Sequence, residues 1–144
     1  MKEKVFAATN DALPEVMAFT EECLESFGCP MKASVAISVA VEEIFVNIAS
    51  YAYKAMDIPD SEKTVEIILE RLGEGTIKIQ FADSGIEFNP LMKNDPDINA
   101  DYNDRGIGGL GIYMVKKSMD NVEYIREGTQ NVLTVTNTYK MQDR

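Results

Sequence analysis

Histidine is absent from this 144-residue chain. The absence excludes Ser-His-Asp and Cys-His catalysis, a phosphohistidine relay within the chain and any imidazole metal ligand. General acid–base chemistry is left to carboxylates, lysine, tyrosine or cysteine. Cysteine is scarce as well: Cys23 and Cys29 are six residues apart, and without histidine or further cysteines they make no zinc set. They are expected as free thiols of a reducing cytosol. Basic residues are the minority, 14 against 24 acidic ones, for a formal charge of −10. That balance opposes nucleic-acid binding, which draws its affinity from clustered Lys and Arg, and favours a basic protein partner. No long apolar stretch follows Lys2 and Lys4, so neither a signal peptide nor a membrane span is expected, and the expected location is cytoplasmic.

The length fits one domain, residues 1–144, large enough to bury a core without metal or disulfide staples. Val5 to Thr9 reads as a strand, and Asn10 or Asp11 is placed to cap a helix running to about Phe27. After Gly28 and Pro30, a long helical pattern runs from Met31 to about Tyr53, with Ile37, Val41, Ile44 and Ile48 on one face. Val65, Ile67 and Leu69 alternate with polar residues, as do Ile77, Ile79 and Phe81 beyond Gly73-Glu74-Gly75. These two runs predict an antiparallel hairpin. Asn89 to Asp104 shows no period and reads as a long functional loop. A helix from about Leu110 to Met119 should turn Leu110, Met114 and Val115 toward the core, followed by strands Val122 to Arg126 and Val132 to Thr138 with a turn at Glu127 to Asn131. The order predicts an α+β two-layer sandwich, helices on one face of a mostly antiparallel mixed sheet.

Three segments carry candidate chemistry. On the long helix Glu43 and Asn47 are four residues apart, so they lie one turn apart on one face, with Tyr51 continuing the stripe. An Asn amide oxygen suits a Mg²⁺ that already holds phosphate oxygens and water, and a neighbouring carboxylate can deprotonate a nucleophile. Taken alone, Glu42, Glu43 and Asn47 also read as a solvated helix face. Asp83 shares the parity of Ile77, Ile79 and Phe81, which puts a carboxylate on the buried side at a strand end. It needs a donor there, such as an adenine amino group or the N–H groups of its own turn. The third segment, Arg105-Gly106-Ile107-Gly108-Gly109-Leu110-Gly111, is a glycine-rich loop opening a helix, whose free N–H groups suit phosphate. There is no Gly-x-x-x-x-Gly-Lys-Ser/Thr loop, and without histidine the eukaryotic-type kinase catalytic loop cannot be written. The glycine spacing does not follow the first strand of a βαβ unit, which argues against a dinucleotide fold.

In this order, Glu43-Ile44-Phe45-Val46-Asn47, Asp83-Ser84-Gly85 with Phe88 and Pro90, and Gly106 to Gly111 resemble the N, G1 and G2 boxes of the gyrase and histidine-kinase type ATPases, the Bergerat fold. The whole chain is similar to one branch, the anti-sigma factor serine/threonine kinases. The resemblance implies ATP and Mg²⁺ bound between helices and sheet, with the Asn89 to Asp104 loop as lid. It implies that Asn47 ligates Mg²⁺, Asp83 reads the adenine amino group and Gly85 and Phe88 line the base. Gly106, Gly108, Gly109, Leu110 and Gly111 would wrap the phosphates, and Arg105 would reach terminal phosphate oxygens. Glu43 matches the catalytic carboxylate that accepts a serine hydroxyl proton; Glu42, five residues from Asn47, points off that stripe. The implied partners are a small STAS-type antagonist, which is phosphorylated, a sigma factor, which is sequestered, and a second copy in a homodimer. An ATP-dependent interaction switch without kinase chemistry is the alternative. The chain departs from the family pattern at Glu87, where a second glycine is common, and at Val132, where a hydroxyl residue is common and Thr134 follows two positions on.

Overall fold

Alternation of apolar and polar residues builds the sheet. The strands are β1 (Lys2–Ala7), β2 (Thr64–Arg71), β3 (Thr76–Asp83), β4 (Asn121–Glu127) and β5 (Gln130–Thr138). They form one sheet in the order β1-β2-β3-β5-β4, with every pairing antiparallel. The computed structural model describes residues 1–92 and 109–139. Among these the helices are α1 (Leu13–Ser26), α2 (Met31–Tyr51) and α3 (Gly109–Ser118).

Parity decides which face of the sheet is covered. Val65, Ile67 and Leu69 of β2 and Ile77, Ile79 and Phe81 of β3 are buried, in one cluster with Val16 and Leu24 of α1, Ile37, Val41, Ile44 and Phe45 of α2, and Val115 of α3. Each such side chain contributes about 1.5–3 kcal/mol by leaving water. By length and composition α2 is apolar enough to cross a membrane, with mean hydropathy 1.5. In this fold its Ile37, Ala40, Val41, Ile44 and Phe45 are instead buried in the core.

The elements depart from the sequence reading in local ways. A 3-10 turn, Asn10–Ala12, precedes α1, which starts at Leu13 with Pro14 in its first turn and no side-chain cap. The last hairpin is tighter than expected. Glu127 pairs with Gln130, so the turn is Gly128 and Thr129 alone, with Gly128 at a φ of 61° that a glycine-first two-residue turn requires. Asn131 therefore belongs to β5, not to the turn. Val115 on α3 and Met119 just past its end are buried in the core, whereas Met114 is exposed. Residues four apart share a helix face, and Met114 is a full 100° step from Val115.

Candidate functional site

Between the end of α2 and the ends of β3 and β5 lies a cavity of about 520 Å³. Its walls are mostly apolar, with Ile44 and Ile48 from α2, Leu133 from β5 and Phe88 and Pro90 from the segment after β3. Asn47, Asp83 and Asn131 bring polar groups to it. A concave, largely apolar cavity with a few convergent polar groups is the usual form of a small-ligand site.

Asp83 ends β3 and is only 5% exposed. Its Oδ1 accepts from the Gly85 N–H at 2.9 Å and from Asn131 Nδ2 at 3.0 Å. Oδ2 has no hydrogen-bond partner among the described residues, so the carboxylate is held by one oxygen and offers the other. Asn131 stands directly opposite Asp83 in the β3–β5 register and opposite Arg126 in the β4–β5 register. The three side chains form a polar row on the helix-facing side of the sheet.

Asn131 uses its whole amide. Nδ2 also donates to the Ile86 carbonyl at 2.8 Å. Oδ1 accepts from the Tyr124 hydroxyl at 2.5 Å, Arg126 Nη1 at 3.2 Å and the Phe88 N–H at 3.3 Å. Arg126 Nη1 further donates to the Gly85 carbonyl at 2.9 Å. Buried amides are costly unless satisfied, and here the satisfaction fixes the turn from Ser84 to Phe88.

The same turn is tied to Ala52 and Tyr53, the residues that follow α2. The Ile86 N–H donates to the Ala52 carbonyl at 2.9 Å. The Tyr53 hydroxyl donates to the Thr64 carbonyl at 2.6 Å and accepts from the Ser84 N–H at 2.9 Å. Burial, reinforced by the Asp83 charge, pushes the Tyr53 phenol above its ordinary value of 10.0, against the pull of its backbone hydrogen bonds. Gly85 packs so closely on Ala52 that any Cβ there would overlap the Ala52 carbonyl. Glycine is required there by the close approach of Ala52, itself a residue of the cavity wall.

The sequence-predicted residues divide. Asn47, Asp83 and Phe88 meet in the cavity. Glu43 lies one turn before Asn47, with its carboxylate against Gly111 at the start of α3, where a side chain on residue 111 would collide with it. Glu42 faces away, into a groove between α1 and α2. Gly109 and Leu110 open α3. Arg105, Gly106, Gly108 and the loop beyond a 3-10 turn at Pro90–Met92 lie outside the described residues. Sequence reasoning missed Asn131, Tyr53 and Arg126. The signal for Asn131 and Arg126 was their parity with Leu133 and Tyr124. No group of three or more Cys, Asp or Glu side chains is placed to hold a metal by itself among the described residues, so a cation here would depend on oxygens brought by the ligand.

Residues 6–137 match the histidine kinase-like ATPase domain. Among curated relatives, the serine-protein kinase RsbW of Listeria monocytogenes is 29% identical over 103 residues, 68% of this chain and 62% of the relative. That of Bacillus mycoides is 30% identical over 102 residues, 67% of this chain and 59% of the relative. The chain thus spans about six-tenths of the length of the relatives it matches. In fold it is similar to a chain of the SiaB–SiaC complex from Pseudomonas aeruginosa, with TM-score 0.62 and 11% identity over 96% of this chain and 90% of that one. It is likewise similar to the RsbU and RsbW domains of Rv1364c from Mycobacterium tuberculosis, with TM-score 0.59 and 16% identity over 96% of this chain and 32% of that one. With a match that runs through every strand from Phe6 onward and takes in both Asn47 and Asp83, the chain belongs to the histidine kinase-like ATPase domain family.

Proposed function

We propose that this chain is an ATP-dependent protein serine/threonine kinase that acts as an anti-sigma factor, phosphorylating a small STAS-type antagonist and, in its other state, sequestering a sigma factor. The observation that carries the ATP reading is Asp83, whose Oδ1 is committed to Gly85 and Asn131 while Oδ2 is left over at the cavity. An adenine amino group supplies the donor that Oδ2 lacks, and Ile48, Ile86 and Phe88 suit the faces of a flat base. Glu43, on the α2 face that meets the glycine helix, is the general base for the acceptor hydroxyl. The kinase relatives support the phosphotransfer reading.

The residues present fit Mg²⁺ as a ligand-dependent ion. Asn47 carries a neutral amide oxygen at the cavity with no protein partner among the described residues, and Mg²⁺ commonly takes few protein ligands besides phosphate oxygens and water. Bound there, the ion would neutralise phosphate charge. In the transfer itself the acceptor oxygen forms a bond to the terminal phosphorus, the bond from that phosphorus to the bridging oxygen breaks, and ADP leaves. The hydroxyl proton passes to Glu43. Gly106, Gly108, Gly109, Leu110, Gly111 and Arg105 complete the proposal as the phosphate-binding segment, in a cytoplasmic homodimer.

One observation favours the alternative, an ATP-closed interaction switch with no kinase chemistry: Glu43 rests against Gly111, off the cavity wall. Transfer of terminal phosphate from labelled ATP to a STAS-type partner decides between them. Glu43→Gln should slow labelling by roughly a hundredfold or more with ATP affinity unchanged. Unchanged labelling in that variant would refute the base assignment, and ATP binding without any labelling by the wild type would leave the switch.

A further inference from the structure

Helix α2 is more apolar than the core requires. Only 33% of its most apolar window is buried. Met31, Val35 and Val39 are exposed at 77%, 55% and 51%, and they follow one another four residues apart on the face opposite Ile37, Ala40 and Ile44. A surface helix ordinarily turns polar residues outward there. A continuous apolar line on an outer face marks an interaction surface more often than chance composition.

The line forms one wall of a groove of about 560 Å³ between α1 and α2. The charged groups that line the groove are Glu21 and Glu25 of α1 and Glu42 of α2. None of the three is in an ion pair; those formed among the described residues are Lys4–Glu15, Lys63–Asp60 and Lys78–Glu70. Apolar floor and acidic rim together select the occupant. A second copy docked face to face about a two-fold axis would bring two sets of these carboxylates together without a counter-charge. An anionic membrane surface is repelled by the same rim. An amphipathic helix with apolar residues at i and i+4 and Lys or Arg beside them satisfies both parts, as in other helix-in-groove recognition.

We propose that the α1–α2 groove is the docking site for a basic amphipathic helix of a partner protein. The nucleotide cavity takes Asn47, Ile48 and Tyr51 from the other end of α2, so docking in the groove does not depend on the kinase reading.

The probe is a fluorescein-labelled helical peptide with leucines at i, i+4 and i+8 flanked by lysines, paired with a counterpart in which each lysine is glutamate. The full chain should bind the lysine peptide and hold the glutamate peptide at least roughly tenfold more weakly. Val35→Asn with Val39→Asn, and separately Glu21→Gln with Glu25→Gln, should each weaken the lysine peptide by roughly tenfold. Melting temperature and ATP affinity should stay at wild-type values, since these side chains are exposed or on the rim. Amide shifts on titration should cluster on α1 and on residues 31–42 of α2. Equal affinity in the variants, or shifts elsewhere, would overturn the proposal. So would a wild-type dimer that Val39→Asn dissociates, which gives the groove to a second copy. Vesicle binding by the wild type that Val39→Asn abolishes would give it to a membrane.

Discussion

Asp83 and Asn47 face the same cavity, one from the sheet and one from α2, yet their surroundings differ in kind. Around Asp83 the polar atoms are knitted together: Asn131 bonds strand, turn and Tyr124, Arg126 reaches the Gly85 carbonyl, and Tyr53 holds Ser84. Around Asn47 and Glu43 no side-chain hydrogen bond forms with any described residue. The first region is assembled by folding and would present a fixed acceptor to a base. The second leaves its polar groups without described partners, and on the proposed function phosphate, ion and acceptor would satisfy them. On the proposed function, recognition of the base would be separated from the chemistry, with preorganisation placed where recognition needs it.

The comparison can be broken most strongly at Asn131. Asn131→Ala strips partners from Asp83, Tyr124 and Arg126 at once, and each buried orphan costs about 1–3 kcal/mol; denaturant unfolding should show a loss of that size or more, and ATP affinity should fall with it. Tyr53→Phe removes only the tie to Ser84 and Thr64, for a loss of about 1 kcal/mol. The same residue sharpens the picture through pH. Its phenol is held above the ordinary 10.0 by burial, so the native state keeps the proton more tightly than the unfolded one. That contribution is complete below the ordinary value and is lost as pH rises from there through the native value. Wild-type stability should therefore fall more steeply above pH 10 than that of Tyr53→Phe, with phenolate absorbance tracking the difference. The smallest effect belongs to the other region: Asn47→Ala should leave stability within about 0.5 kcal/mol, because no described protein group depends on that amide.

Much of the fold was legible because it rests on periodicity. The spacing of Ile37, Val41, Ile44 and Ile48 located the buried face of α2, and the alternation through Ile77, Ile79 and Phe81 carried forward to a buried Asp83. What was illegible depended on register between distant segments. Asn131 looks like a turn residue until the hairpin is known to close at Gly128 and Thr129; then it falls opposite Asp83. The family pattern pointed to Val132 for a hydroxyl, but the side chain that meets Asp83 comes from the residue before it and is an amide. Tyr53 looked like the tail of a helix, and only the approach of Thr64 and Ser84 gives its hydroxyl two partners. Met114 reads as inward from the sequence because it adjoins Val115 and the phase of a short glycine-rich helix is poorly fixed by its pattern, and one residue of phase separates the exposed Met114 from the buried Val115.

The most direct test is calorimetric titration of ATP, with and without Mg²⁺, into wild type, Asp83→Asn and Asn47→Ala. The expected result is wild-type binding that Mg²⁺ strengthens, a loss of roughly a hundredfold in Asp83→Asn under both conditions, and binding in Asn47→Ala that no longer responds to Mg²⁺. No ATP binding by the wild type, or two variants that fail in the same way, would contradict it.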